Sequence, residues 1–429
     1  MTGRTREIFP VPIDFERVAR FPATLVSARV LFLPLIAVAV CGCGGGGGPG
    51  ATGGGQPPPP PPAPSIVAAP MHFDVFPVDQ STENAARIFV YVSMVGSDTV
   101  RLPLALDTGS AGLTLNALAV FPSSVVSASG FQFASGQTSL SYNDVTVTDQ
   151  QGSRAYGGPN GHTQIGNIGY AQVTFGDSNG ALTTETMPVL FYYKVVSTAD
   201  NQTVTENGQD GWFGINDAPN LVSVSGAGDS LPACTPGVAG SCWVVSVLKY
   251  LKYAAGVDGG FILDPVTLET CDPATAGSCS PQPVLTIGVT PALEEGFSRS
   301  QLPCPPSTYT GPAAIAGFAV CQERVPNTTI TTAAAPGGTY VTTAIFDTGT
   351  PYSALNLLSG SAFPSAIPPG DSIQVTTPSG FTYTQISSTD VEAIVVNPAA
   401  SANAAVIGLG YFTTNSLLVD FSTGTQGWK

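Results

Sequence analysis

The 429-residue sequence predicts a mostly β protein made of two related lobes that share one site. A four-residue turn is written twice, as Asp107-Thr108-Gly109-Ser110 and Asp347-Thr348-Gly349-Thr350, each entered from an apolar run (Leu104-Ala105-Leu106 and Ala344-Ile345-Phe346). The repeat continues past the turn, because Leu115-Asn116 and Leu355-Asn356 fall at matching distances after their Asp. Between these landmarks, aromatic and β-branched runs alternate with Gly, Ser, Asn and Asp, which is the composition of short strands joined by turns.

Met1 to Arg29 is a mixed stretch, and the apolar run Val30–Val40 follows it. Eleven apolar residues suit the core of a signal peptide and are too few to span a bilayer as a helix. The run ends at Cys41-Gly42-Cys43. This resembles a bacterial lipoprotein signal, which implies that Cys43 is lipidated and that the chain reaches a membrane through an N-terminal lipid anchor; Cys41, preceded by Val40, fits the pattern less well, and the alternative is an ordinary cleaved signal that leaves the chain periplasmic or secreted. Residues 1–43 are read as this signal and 44–69 as a Gly/Pro-rich disordered tether. Its glycines are flexible and Pro57 to Pro62 form a stiffer spacer.

The remaining chain is long enough for two lobes with substantial cores. Ile88-Phe89-Val90-Tyr91-Val92, the turn Gly96-Ser97-Asp98, then Thr99-Val100-Arg101-Leu102 read as a hairpin that delivers the chain to Asp107. One stretch, Trp243 to Ala255, carries apolar residues at helical spacing and is expected to be a helix. The expected division is 70–258 for the first lobe, 259–283 for an inter-lobe segment and 284–429 for the second lobe.

Six cysteines lie beyond the signal. Cys234 to Cys242 and Cys271 to Cys279 bound nearly identical Pro- and Gly-containing nonapeptides, so two local disulfide loops are expected, leaving Cys304 to pair with Cys321. Six cysteines allow fifteen pairings, and proximity alone selects this one. No Cys-x-x-Cys is present and the histidines are His72 and His162, so no metal site and no cofactor are expected. A net charge of −15 argues against nucleic-acid binding. Gly228-Asp229-Ser230-Leu231 resembles an esterase string, but no His follows position 162 to act as its base.

The paired turns point to a definite chemistry. Two carboxyl groups within hydrogen-bonding distance cannot both ionise easily, so they share a proton and titrate as a pair. The ionised member can take a proton from water while the protonated one donates to a substrate carbonyl. Gly109 and Gly349 let the backbone turn tightly beneath the carboxyls. Thr108, Ser110, Thr348 and Thr350 supply hydroxyls able to orient them.

In these residues the chain resembles the pepsin-like aspartic proteases. Asp210-Gly211-Trp212-Phe213-Gly214-Ile215 and Val406-Ile407-Gly408-Leu409-Gly410 look like the apolar-apolar-Gly segments that pack on each catalytic loop of that family. Ala155-Tyr156-Gly157-Gly158, leading to Ile168–Gly176, is similar to its flap. The resemblance implies two β lobes with a cleft between them, catalytic Asp107 and Asp347, Tyr156 and Gly157 over the substrate, and an extended peptide or protein as partner. The chain departs from the family pattern in its second lobe, where the interval from Asp347 to Gly408 is much shorter than that from Asp107 to Gly214. Pro351 replaces a small polar residue, and Pro159-Asn160-Gly161-His162 lengthen the flap. No basic pro-segment precedes the first strand, so activation by its removal is not expected. The expected function is an exported aspartic endopeptidase; the alternative is a non-catalytic surface protein that keeps the fold to bind peptides or for structure.

Overall fold

The computed structural model describes residues 62–79, 86–157, 161–177, 179–206, 208–218, 220–225, 241–304, 321–322, 324–333, 338–358, 363–388, 392–400 and 402–429. The protein is mostly β. Among these residues the α-helix is the four-residue Ala117–Val120, and no helix is long and apolar enough to cross a membrane. The signal segment, Cys43 and Cys234 fall outside the described residues.

The expected hairpin forms from strands Arg87–Val95 and Asp98–Asp107, paired antiparallel, with Gly96 at the turn in a left-handed conformation (φ +60°). From Asp107 the chain turns into strand Ala111–Asn116. Gly211–Ile215 then inserts between the two, parallel to Asp98–Asp107 and antiparallel to Ala111–Asn116. The second half repeats this topology. Ala404–Ile407 lies between Thr339–Phe346, to which it is parallel, and Ser353–Leu358, to which it is antiparallel. Even the outer strand recurs, with Met187–Ser197 parallel to Ala111–Asn116 and Ile394–Ala400 parallel to Ser353–Leu358. The shorter second interval therefore keeps the strands that hold the turn. The hairpins differ in length among the described residues: the first lobe has Val145–Tyr156 with His162–Ala171, and the second interval has the shorter Ser372–Thr376 with Thr382–Ile386.

A further sheet joins the halves. Met71–Val78 pairs with Arg87–Val95 on one side and with Gln282–Val289 on the other. Asp258–Leu263, Leu417–Asp420, Thr425–Trp428 and Ser298–Gln301 continue that sheet, all antiparallel. The sheet thus crosses the 259–283 segment read as inter-lobe. One contiguous core runs through it, from Phe73 and Ile88 to Phe346, Tyr411 and Trp428.

Two sequence expectations are corrected. The 44–69 tether does not extend to residue 69: the Ser65 N–H donates to Thr183 O (2.9 Å), Ile66–Val67 pairs with Lys252–Tyr253, and Val67 is fully buried. The apolar Val67 side chain buries on this strand edge as it could not in a solvated spacer, while Ile66 stays exposed. Nor is Trp243 to Ala255 a helix. It consists of strand Ser241–Val244, a 3-10 turn Val247–Tyr250 and strand Lys252–Tyr253. Every residue from Val244 to Leu251 is buried, so the segment has no polar face to present to solvent, and its β-branched valines favour extended backbone.

Cys271–Cys279 and Cys304–Cys321 are disulfide-bonded, as proximity suggested. The expected Cys234–Cys242 pair lies outside the described residues. The Cys271–Cys279 loop packs on the first lobe, where Pro273 O accepts from Tyr91 Oη (2.7 Å) and Arg101 stacks over the Tyr91 ring.

Candidate active site

The two Asp turns meet at the junction of the lobes. Each turn organises its own carboxylate in the same way. Asp107 accepts from the Gly109 N–H at 2.8 Å on Oδ1 and from the Ser110 hydroxyl on Oδ2. Asp347 accepts from the Gly349 N–H at 2.7 Å and from Thr350 Oγ1 at 2.6 Å.

Thr108 and Thr348 tie the turns to each other rather than to their own carboxylates. The Thr108 N–H donates to Thr348 Oγ1 and the Thr348 N–H to Thr108 Oγ1, both at 3.0 Å. Each hydroxyl then donates across the lobes, Thr108 to Phe346 O (2.8 Å) and Thr348 to Leu106 O (2.6 Å). These four bonds fix the distance between the carboxyls. Thr348→Ala removes one donor and one acceptor from a fully buried position and strands the Thr108 N–H and Leu106 O. An expected loss of about 2–4 kcal/mol follows; chemical denaturation would measure it, and Thr348→Ser should recover most of it.

The carboxyls converge on one point. A Cβ built on Gly349 would lie 2.9 Å from Asp107 Cγ and 3.0 Å from Asp347 Oδ1, and one on Gly109 would lie 2.3 Å from Asp347 Cγ. Burial, then the charge of Asp107, push the Asp347 carboxyl up to about 7, and a hydrogen bond with Asp107 acts in the same direction. Asp347 thus keeps its proton up to about pH 7.

Behind the first turn, the Asn216 N–H donates to Ser110 O (2.9 Å) and its side-chain amide to Thr108 O (2.6 Å). Asp217 follows, ion-paired to Lys249 with both side chains fully buried. Burial pushes the Asp217 carboxyl up to about 6 while Lys249 acts against it. Sequence reasoning missed this pair. Its signal was Lys249, one of two lysines in an apolar run; the other, Lys252, is half exposed and pairs with Glu185. The repeated Asn residues also act in place: Asn116 donates to Asp210 Oδ1 (3.1 Å), and Asn356 accepts from Asn397 (3.2 Å).

Tyr156 ends its strand opposite His162, and its ring stacks on Trp212 at 4.6 Å with a 16° tilt. Trp212 packs with Ala105, Phe89 and Val78 in a cluster that also receives Tyr156. Since Ala105 precedes Asp107 by two strand positions, this cluster forms the first lobe's wall on the carboxyl side. The corresponding wall in the second lobe is Ile345, Ala354 and Val406 with Tyr352 against them. Gly157, at φ +73°, begins the turn after Tyr156. His162 Nε2 lies 2.7 Å from Glu206 Oε1. Burial works against the Glu206 charge, but His162, Gln164 and Tyr192 hold its carboxyl below the usual range.

No family model matches this chain, and no curated protein matches it in sequence. Among solved structures it is similar to the aspartic proteinase from Irpex lacteus, with 14% identity, a TM-score of 0.49, and coverage of 84% of this chain and 97% of that one.

Proposed function

We propose that the protein is an aspartic endopeptidase, with Asp107 and Asp347 as its catalytic pair. The observation that carries this reading is the mutual contact of two buried carboxyls, each oriented by its own backbone N–H and hydroxyl. Asp347 holds the shared proton and its partner carboxylate takes a proton from a water lying between them. As that water attacks the amide carbon, the proton on the pair passes to the carbonyl oxygen, giving a neutral tetrahedral diol. Proton transfer to the nitrogen then releases the amine, with no covalent link to the protein. Tyr156 and Gly157, on the long hairpin, cover an extended peptide held between the lobes.

The disulfides support export, since such bonds persist in oxidising compartments. Attachment to a membrane through Cys43 rests on the signal sequence alone.

Hydrolysis needs one proton on the pair. The rate on an unfolded protein substrate, measured from pH 3 to 8, is therefore expected to fall as pH rises through about 7, where Asp347 loses its proton. A rate that keeps rising between pH 7 and 8 would count against the mechanism, because a doubly ionised pair has no proton for the carbonyl.

A further inference from the structure

Arg87 lies on the first-lobe wall, on the strand that pairs with Met71–Val78, directly opposite Val78. Its guanidinium carbon sits 5.6 Å from the centre of the Trp212 ring, a cation–π distance. Trp212 belongs to the strand that runs beside Asp107, with Gly214 opposite Asp107 in the register. The part-buried guanidinium is thus held over the wall next to the carboxyl pair. It lies within electrostatic range of Asp347, Asp107 and, across the cleft, Tyr352.

A guanidinium carries five N–H donors in a fork that matches a carboxylate. Here Nη1 donates to Ala86 O at 2.8 Å, and among the described residues no carboxylate lies within ion-pair distance of it. In a chain of net charge −15 with fourteen Lys and Arg, a cation left open on the wall beside the site is a distinctive feature. Burial depresses its pKa more than the charges of Asp347, Asp107 and Glu206 restore it, so a substrate carboxylate would offset a cost that burial leaves on the guanidinium.

We propose that Arg87 recognises a carboxylate of the substrate beside the scissile amide, so that the site favours acidic peptides. This rests on the endopeptidase reading for the word scissile, but the recognition itself is a binding event. The carboxylate could be an Asp or Glu side chain or a chain terminus.

The test is digestion of a mixed peptide pool by the full protein at pH 6, where Asp and Glu are ionised, with cut sites read by mass spectrometry. Asp and Glu should be enriched over Asn and Gln close to the cut by about tenfold or more, as a charge-assisted bond implies. Arg87→Gln should bring that ratio near one, and Arg87→Lys should restore part of it. A purely structural role for Arg87 would change overall rate and leave the ratio intact. Peptides with free and amidated C-termini separate the two carboxylate sources. Absence of enrichment in wild type, or enrichment that survives Arg87→Gln, overturns the proposal. If the protein cuts nothing, the endopeptidase reading fails, and calorimetric titration with one peptide in Glu and Gln forms decides the recognition: equal affinities overturn it, and a preference for Glu that Arg87→Gln removes supports it.

Discussion

Gly109→Ala is expected to lower peptide hydrolysis by at least about a hundredfold while costing only about 1–3 kcal/mol of stability. The added methyl would meet Asp347 Cγ at 2.3 Å and its oxygens at 2.4 and 2.7 Å, far inside any real contact. Something must yield, and the atom in the way is the end of a side chain rather than packed backbone. The Asp347 carboxyl therefore swings aside and the fold survives. The proton shared with Asp107 then has no second acceptor in position. Kinetics and thermal melting on the same sample would check this, because a variant that merely unfolded would lose both together. Gly408→Ala offers the contrast: its methyl would lie 2.1 Å from Tyr352 O, a backbone atom just past the second Asp turn, so stability falls first.

Asp347→Asn should abolish hydrolysis and at the same time make the protein more stable at pH 8. In the folded protein the Asp347 carboxyl titrates near 7, against 3.8 for an unperturbed one. The folded state therefore holds this proton more tightly than the unfolded chain does. The resulting stability is complete below about pH 4 and is lost as pH rises through about 7. Above that, wild type carries two buried charges in contact. Asn removes one of them while keeping an oxygen for the Gly349 N–H. The variant should exceed wild type by about 1–4 kcal/mol at pH 8 and converge with it near pH 4, as urea titrations at the two pH values would show. Equal stability at pH 8 would mean that the carboxyls do not repel each other in the folded protein.

Where the candidate site depends on contiguous residues, its composition is legible in the sequence. Asp107, Asp347 and the Gly and hydroxyl residues behind them fall within four positions, and the strand topology around each turn follows from apolar runs that repeat with it. What the sequence could not disclose depends on distant partners. The Thr108 and Thr348 cross-bonds need two turns 240 positions apart to face each other, and only a common site suggests that they do. Trp212 looked like a core residue and is one, yet its ring also seats Tyr156 and Arg87. Lys249 sat in an apolar period that imitates a helix, and the inward turn of its ammonium toward Asp217 reverses the usual rule that lysine marks the solvent face. Met71–Val78, early in the chain, pairs with the distant strand Gln282–Val289, a pairing that no local pattern encodes.

The most direct measurement is cleavage of an unfolded protein substrate at pH 5 by the purified protein, wild type beside Asp107→Asn, with both shown to be folded by circular dichroism. The shared-carboxyl account predicts fragments from wild type at a rate at least about 1,000-fold above the variant. Equal rates from the two, or an intact substrate after incubation with folded wild type, would contradict it and leave a protein that binds peptides in this cleft without cutting them.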